Sequence, residues 1–262
     1  FTQASPHAKP APKHWQKNYR HNHHSIMAKS KKTKPLPIDK ILQQQGFGTR
    51  AYCRALIETG DVLVNGEVCD DPDELFDLDG LSWQIDGQTW HYREHVYLLM
   101  NKPTNHECSQ KPQHHMSVLS LLPIQLRNRD VQCVGRLDVD TTGLLLISDD
   151  GQFIHKNTSP KKNVDKVYHA TCRHPLTDEM LHALTTGVLL HDENETLKAI
   201  SARVLDAQQP NVLELVLREG KYHQVKRMVA AAGNRVDELH RVRVGEFELP
   251  NDLPIGEWIY LD

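Results

Sequence analysis

The chain has 262 residues, which is enough for one or two domains with a substantial hydrophobic core. Its hydrophobic fraction of 39% and charged fraction of 25% are ordinary for a soluble globular protein, and no run approaches the roughly 18 apolar residues of a membrane span. Five scattered cysteines without a Cys-x-x-Cys pair indicate reduced thiols rather than a disulfide framework, so we expect a cytoplasmic protein.

Charge is distributed unevenly along the chain. Residues 1–34 contain eight Lys or Arg and no acidic residue, whereas the remainder contains 23 basic and 34 acidic residues. This composition predicts a disordered basic arm over residues 1–34, suited to tracking nucleic-acid phosphates, followed by an acidic folded body. If the body binds RNA, its lysines and arginines must be gathered on one face.

Two short helices are predicted where order begins. Asp39 is placed to cap the first helix and Thr49 to cap the second. Within the second helix, Arg50 and Arg54 are four residues apart and therefore share one face. Such a pair can grip an RNA backbone or form a solvated helix face, and the spacing alone favours the solvated face.

Short strands are predicted after the helices. Residues 62–64 lead into Asn65-Gly66, which is a strong hairpin signal, and residues 81–95 indicate a strand pair with a connector. Residues 96–100 predict a strand that enters a second domain and is ended by Asn101-Lys102-Pro103.

The central block of the chain is a compact turn followed by an apolar run. Gly135-Arg136-Leu137-Asp138 supplies an arginine and a carboxylate, and residues 144–147 predict a buried strand that would hold this turn in a cleft. Taken by itself, Asp138 is explained as well by a structural role, as a turn former or a helix cap, as by a reactive one.

A later segment is predicted to form a short strand that carries an aromatic side chain. Residues 166–170 read as this strand, and Tyr168 lies within it. A tyrosine here can stack on an extruded base and still use its hydroxyl, or it can be an ordinary core residue.

Near the carboxyl end, residues 212–217 predict a strand, and a helix is predicted from near Lys221 to Gly233. Lys226 flanks the apolar stripe of that helix, so it is either half-buried at a cleft wall or an ordinary boundary lysine. Farther on, Arg241 and Arg243 alternate with valines, which predicts that they share one face of a strand.

Several blocks together resemble the Rsu family of rRNA pseudouridine synthases. These are Gly-Arg-Leu-Asp-x-Asp-Thr-Thr-Gly-Leu at 135–144, Lys-x-Tyr at 166–168 and Gly-Lys-Tyr-His-Gln-Val-Lys-Arg-Met at 220–228. Residues 37–75 resemble an S4 domain, the small RNA-binding module of ribosomal protein S4. The resemblance covers roughly residues 37–262, nearly everything except the arm.

The resemblance implies an α+β fold with two domains. A small S4 RNA-binding domain with its connector would occupy residues 35–94, and a pseudouridine synthase catalytic domain would occupy residues 95–262. The catalytic domain would contain a mostly antiparallel mixed β-sheet flanked by helices. Two positions depart from the pattern: Pro37 stands where an Arg is usual, and Asn105 stands where Gly is usual but tolerates the same left-handed backbone.

The resemblance also implies the roles of individual residues. Asp138 would be the essential catalytic carboxylate, Tyr168 the active-site tyrosine and Lys226 the basic partner of Asp138. Arg136 would engage RNA near the flipped nucleotide. The further residues implied to contact RNA are Lys40, Arg50, Arg54, Lys102 and Arg227.

The implied function is an isomerase that converts one uridine of 16S rRNA to pseudouridine. The reaction breaks the N-glycosidic bond, turns the uracil and joins C5 to C1′, so we expect no cofactor and no metal. Asp138 would act as a nucleophile or as a stabiliser around a glycal-like intermediate, and both remain open, while Asp140 would hold the loop. The expected partner is rRNA within an assembling small subunit that carries ribosomal proteins, with the enzyme a monomer and no membrane involved.

Other functions remain open at this point. A synthase acting on 23S rRNA is the nearest alternative, although such relatives usually have Asn-Arg-x-x-Arg-Arg-Met where this chain has Tyr-His-Gln-Val-Lys-Arg-Met. A non-catalytic rRNA-binding assembly factor would use the same S4 module. A nucleoside hydrolase is more remote and would release free uracil.

Overall fold

A computed structural model describes residues 34–190 and 196–261, so the predicted arm lies outside the described residues apart from Lys34. The described chain forms two compact units: residues 34–97, 119–131 and 260–261 make one, and 98–118 with 132–259 make the other. The predicted division at 94/95 stays a prediction, since two later segments group with the amino-terminal unit. No described helix has the length and apolar character needed to cross a membrane.

The amino-terminal unit consists of short helices and short strands. Its elements are β1 (Leu36–Pro37), α1 (Ile38–Gln44), α2 (Arg50–Glu58), β2 (Leu63–Val64), β3 (Glu67–Val68), β4 (Leu75–Phe76), β5 (Ser82–Ile85), β6 (Gln88–His91) and α3 (Ile124–Arg127). Strands β3, β2, β5 and β6 form an antiparallel sheet in that order, and β1 pairs with β4.

Several local predictions for this unit are confirmed. Thr49 is the N-cap of α2, and its hydroxyl accepts a hydrogen bond from the Tyr52 amide at 3.2 Å. Asn65 and Gly66 form the β2–β3 turn with φ values of 51° and 93°. The buried residues of α2 are Cys53 and Ile57, which pack into the core of this unit.

The prediction that Asp39 caps α1 is wrong. Asp39 lies inside the first turn of the helix, and Pro37 is the N-cap residue. Its carboxylate is completely buried and accepts hydrogen bonds from Arg50 Nε at 2.8 Å and Arg54 Nη1 at 2.9 Å. Burial raises the pKa of Asp39, but the hydrogen bonds from the two arginines lower it by more, so the pKa lies below its ordinary value. The shared face of Arg50 and Arg54 therefore carries an internal ion-pair cluster.

We expect Asp39→Asn to destabilise the amino-terminal unit by about 2 kcal/mol, because two guanidinium groups lose their buried partner. Since the folded-state pKa is lowered, this stabilisation is complete above the ordinary value of 3.8 and is lost as the pH falls below it. Hydrogen exchange of the α1 and α2 amides measures the effect. Asp73→Asn is the matched control, because Asp73 is 62% exposed and pairs with Arg54 at the surface; its effect should be much smaller than that of Asp39→Asn, since solvent screens the exposed pair. Equal effects of the two variants would contradict the expectation.

The second unit contains most of the strands. Its elements are β7 (Tyr97–Lys102), β8 (His106–Glu107), β9 (Met116–Ser117), β10 (Gln132–Val134), β11 (Thr142–Ser148), α4 (Gly151–Thr158), β12 (Lys166–Cys172), α5 (Asp178–Thr186), β13 (Val188–Leu189), β14 (Thr196–Leu197), β15 (Ser201–Asp206), β16 (Gln209–Leu217), α6 (Gln224–Ala231), β17 (Val236–Val244), β18 (Phe247–Glu248) and β19 (Trp258–Tyr260). Short 3-10 helices occur at Val118–Leu121 and Pro160–Lys162.

A mixed, mostly antiparallel sheet organises this unit. Its strands lie in the order β15-β16-β12-β17-β11-β7-β19, with β10 paired to β11 and β18 to β17. The pairs among β15, β16, β12 and β17 are antiparallel, whereas β17 and β11 run parallel. This agrees with the predicted α+β class and places β12 and β17, which are distant in sequence, side by side.

Helices α5 and α6 cover one face of the sheet. Val225, Met228 and Val229 form the buried stripe of α6 and join a core cluster with Leu184 of α5 and Tyr168 of β12. Helix α6 starts at Gln224 rather than near Lys221, because residues 221–223 form a separate turn. The helix therefore places Lys226 near its first turn.

Arg241 and Arg243 do not share a face, contrary to the expectation from alternation. The register shifts between Val167 and Tyr168, so that Tyr168 faces Arg241 and Val167 faces Arg243, with Val242 as the extra residue of a β-bulge. Arg241 is buried, and its Nε donates to the Leu144 carbonyl at 2.9 Å. Arg243 instead lines a groove on the other face of the sheet.

Candidate active site

An open cleft lies where the helix-covered face of the sheet meets the start of α6. The loop that precedes β11, the strands β12, β16 and β17, and the turn before α6 supply its walls. The residues that line it are Arg136, Leu137, Asp138, Thr141, Tyr168, Leu217, Glu219, Gly220, Lys221, His223, Gln224, Val225 and Leu239. Two of the three predicted catalytic residues, Asp138 and Tyr168, therefore line one cleft.

Backbone hydrogen bonds position the Asp138 loop. The Thr141 amide donates to the Asp138 carbonyl at 3.1 Å, which closes a tight turn, and the Asn105 amide donates to the Val139 carbonyl at 2.8 Å. Asn105 has a φ of 60°, which confirms that it adopts the left-handed backbone expected in that slot. The turn after β7 thus supports the loop from outside.

Lys102 also supports this loop, from a completely buried position. Its ammonium donates to the carbonyls of Pro103 at 2.8 Å, Thr141 at 3.1 Å and Asp138 at 3.2 Å. Burial lowers the pKa of Lys102. All three ammonium hydrogens are used, and none of the side chain is exposed, so the structure contradicts the predicted RNA contact and gives Lys102 a structural role in holding the loop.

We expect Lys102→Met to lower stability and turnover without changing how RNA binding depends on salt. The apolar side chain fills the same space but removes one hydrogen bond from each of three carbonyls, of which that of Asp138 keeps a second donor, the Thr141 amide; the loss costs about 2–3 kcal/mol. A phosphate contact would behave in the opposite way, since its loss lowers the slope of log K against log salt by about one with little effect on stability. Urea unfolding and RNA binding at several salt concentrations decide between the two roles.

Two basic side chains contact the Asp138 carboxylate, one at each oxygen. Lys226 Nζ lies 3.4 Å from Oδ2, and His223 Nε2 lies 3.4 Å from Oδ1. Lys226 also contacts Asp140 Oδ1 at the shorter distance of 2.6 Å. Partial desolvation raises the pKa of Asp140, but the hydrogen bond and charge of Lys226 outweigh it, and the net pKa is lowered. Lys226 therefore bridges two carboxylates.

Tyr168 and Thr141 form the buried side of the cleft. Tyr168 is 8% exposed and belongs to the core cluster, as does Leu137. The Thr141 hydroxyl is buried and has no hydrogen-bond partner among the described residues. A ligand in the cleft could supply that partner, because a buried hydroxyl without one is costly.

The other residues predicted to contact RNA occupy different surroundings. Arg136 is exposed and lines the cleft. Arg227 is half-buried, and its Nη1 donates to the Tyr222 carbonyl at 2.9 Å. Lys40 is exposed on α1 of the amino-terminal unit, where Arg50 and Arg54 pair with Asp39. The RNA contacts of all five residues stay predictions: Lys40, Arg50, Arg54, Arg136 and Arg227.

Sequence reasoning missed two side chains that act on the loop. In the sequence, His223 stands out only as part of the Tyr-His-Gln block, and nothing there places its ring against Asp138. Cys108 accepts a hydrogen bond from the Leu137 amide at 3.5 Å. The Cys133 thiol donates to Cys108 and lowers the pKa of Cys108 to about 6, while the same contact raises the pKa of Cys133. The charge of Lys102 also lowers the pKa of Cys108.

Comparison with known families identifies two domains in the chain. A family model described as RNA pseudouridylate synthase matches residues 96–231, and an S4 domain model matches residues 36–78. The first match spans more than half of the chain and includes every cleft residue predicted to be catalytic.

Individual relatives are similar over most of the chain. The ribosomal small subunit pseudouridine synthase A of Yersinia pestis is 37% identical over 229 residues, covering 84% of this chain and 92% of that protein. An uncharacterized RNA pseudouridine synthase of Bacillus subtilis is 34% identical over 221 residues, covering 84% and 92%. A crystal structure of a pseudouridylate synthase is 33% identical to this chain. The match covers 87% of this chain and 96% of the chain in that structure, with a TM-score of 0.60.

Proposed function

Because the chain belongs to the RNA pseudouridylate synthase family and carries an S4 domain, we propose that it converts a specific uridine of 16S rRNA to pseudouridine with one catalytic Asp and no cofactor. The choice of 16S rRNA is supported by the similarity to small subunit pseudouridine synthases. The observation that carries the catalytic assignment is the carboxylate of Asp138, which lines a cleft with Tyr168 and has a basic group at each oxygen.

The reaction rearranges one nucleotide and needs no second substrate. The C1′–N1 bond breaks, and its electron pair leaves with the uracil. The uracil turns and forms a C1′–C5 bond, after which C5 loses its proton and N1 gains one, so that the atoms balance. The Asp138 carboxylate would act on the ribose or the base, either by bonding to it or by stabilising the positive charge that develops at the sugar.

The target base must leave its stack before it reaches the carboxylate, which costs a few kcal/mol. Contacts of the S4 domain, and Arg136 at the cleft, would supply binding energy for this step. Tyr168 would lie against the extruded base, because its ring forms the buried side of the cleft. Lys226 would hold Asp138 and Asp140 in place, since it contacts both.

The test is modification of unmodified rRNA by the purified full-length protein. After dialysis against EDTA, and without added nucleotide, the protein is incubated with 16S and 23S transcripts, and pseudouridines are mapped by carbodiimide primer extension. We expect one new stop on 16S rRNA and none on 23S rRNA. A stop on 23S rRNA alone would identify the alternative substrate, binding without any stop would indicate an assembly factor, and free uracil would indicate a hydrolase.

We also propose that the protein acts in the cytoplasm as a monomer on 16S rRNA within an assembling small subunit. The rate of modification of free 16S rRNA is compared with that of 16S rRNA in partly assembled particles. A higher rate on the particles would identify ribosomal proteins as partners, whereas equal rates would leave the RNA as the sole determinant.

A further inference from the structure

The turn before α6 has a strained backbone next to the proposed catalytic residue. His223 is the N-cap residue of α6, has φ 47° and ψ 34°, and makes no side-chain cap hydrogen bond. Left-handed backbone is unfavourable for a residue with a Cβ atom, and such strain persists where the surrounding structure enforces it. The conformation therefore serves something other than capping, and what it achieves is the placement of the imidazole ring.

The turn is held by its neighbours. Gln224 is buried, and its side-chain oxygen accepts a hydrogen bond from the Lys221 amide at 3.0 Å. Arg227 Nη1 donates to the Tyr222 carbonyl at 2.9 Å, and the Arg227 amide donates to the His223 carbonyl at 3.0 Å. Two successive side chains, those of Tyr222 and His223, are thus presented by a backbone that is fixed on both sides.

The rings of these two residues are stacked. Their centroids are 3.8 Å apart, and the planes differ by 18°. The edge of the His223 ring reaches Asp138, with Nε2 at 3.4 Å from Oδ1. Tyr222 is 74% exposed, the highest value for a large hydrophobic side chain in the described part of the chain. One face of Tyr222 therefore lies on His223, and the opposite face meets solvent.

An aromatic ring with an open face at the edge of an RNA-modifying cleft is suited to a nucleobase. Base-on-aromatic stacking is a common mode by which proteins hold unpaired RNA, and it tolerates any base because each has a π-face. Lys221 and Arg136 are exposed at the same cleft, where they can meet the flanking phosphates. Glu219 is the acidic side chain on this side of the cleft, and its carboxylate accepts a hydrogen bond from Gln224 Nε2 at 3.5 Å.

We infer that the Tyr222–His223 pair is a stacking platform for the nucleobase next to the target uridine. The inference rests on the proposed function, because the cleft at Asp138 then holds the target base. The neighbouring base continues the stack on the open face of Tyr222, and this keeps the strand open while the uridine lies in the cleft. At the other end of this stack, the His223 ring contacts the Asp138 carboxylate. Binding of the neighbouring base therefore also fixes the His223 ring against Asp138.

The test combines variants of Tyr222 with RNA that lacks single bases. Binding is measured by fluorescence anisotropy on a target fragment of 16S rRNA and on versions with an abasic site on either side of the uridine. We expect Tyr222→Ala to weaken binding of the intact fragment about 5- to 50-fold. Tyr222→Phe, which restores the ring, should recover the lost affinity. Ile255→Ala is the matched control for removing an exposed apolar side chain, since Ile255 is 62% exposed and lies outside the cleft.

The abasic fragments identify the base that occupies the platform. One of the two abasic sites should weaken binding to the unaltered protein but should have no further effect on Tyr222→Ala, because ring and base contribute one shared contact. Equal affinity of Tyr222→Ala and the unaltered protein, or an abasic effect that persists in Tyr222→Ala, would overturn the inference. Turnover of the intact fragment by the unaltered protein is measured in parallel. Pseudouridine formed without any effect of Tyr222 refutes only the platform, whereas absent turnover refutes the proposed function and leaves the binding data to judge the platform.

Discussion

Asp138→Asn is expected to abolish pseudouridine formation, with a fall in kcat of at least about 1,000-fold. The amide has the shape of the carboxylate but cannot attack the sugar or stabilise positive charge on it. RNA binding should change by no more than about 3-fold, because the carboxylate lies within the cleft and supplies no contact to phosphate. Release of tritium from RNA labelled at uridine C5 measures turnover, and anisotropy measures binding.

Asp140→Asn is the matched control for this experiment. Asp140 is 70% exposed, and its contact with Lys226 is the shorter of the two, at 2.6 Å against 3.4 Å for Asp138. Loss of that contact should loosen the loop and lower kcat by no more than about 10-fold. If Asp140→Asn were as inactive as Asp138→Asn, the two carboxylates would share the chemistry as they do in glycosidases, and the assignment to Asp138 alone would be wrong.

Gly143→Ala is expected to cause the largest loss of stability in the second unit, residues 98–118 and 132–259, by more than about 3 kcal/mol. Gly143 has φ 104° and pairs in register with Arg241 across the parallel strands β11 and β17. A Cβ atom here would lie 2.3 Å from the Arg241 carbonyl oxygen and 2.7 Å from its amide nitrogen. Both are backbone atoms, so the two strands must separate, and the loop that carries Asp138 must move with them.

Hydrogen exchange of the β11 and β12 amides measures the stability of this unit without assuming that both units unfold together. Gly151→Ala is the control, because Gly151 opens α4 and an added Cβ atom would meet nothing within 4 Å. Alanine there should leave stability unchanged or raise it by about 0.5 kcal/mol. Wild-type exchange rates in Gly143→Ala would mean that the strands tolerate the methyl group and that the close approach has no energetic consequence.

Features governed by neighbouring residues were predictable. The cap at Thr49, the Asn65-Gly66 turn and the left-handed Asn105 are each confirmed. Their geometry depends on backbone dihedral preferences and on hydrogen bonds that reach only a few residues along the chain. The apolar run after the Asp138 turn likewise forms the buried strand β11, since a short apolar run bounded by turn residues is typical of a strand covered on both faces.

Side-chain partners far apart in sequence were harder to predict. Asp39 had the position of a helix cap, yet the helix starts two residues earlier and the carboxylate turns inward to Arg50 and Arg54. The family resemblance implied an RNA contact for Lys102, but β7 extends through this residue and buries it beneath the loop. In both cases a charged residue found several hydrogen-bond partners inside the fold, which no local pattern reveals.

The family resemblance, the order of the motifs and the candidacy of Asp138, Tyr168 and Lys226 follow from the amino-acid sequence alone, because these depend on residue types in a fixed order. Which groups meet depends on the folded chain. Lys226 bridges Asp138 and Asp140, His223 contacts the second oxygen of Asp138, and a bulge at Val242 places Arg241 and Arg243 on opposite faces. Strand register decides the faces of Arg241 and Arg243, since one extra residue in a strand reverses every side chain that follows it. The contacts at Asp138 join a loop to the start of a helix far along the chain, which no local pattern places together.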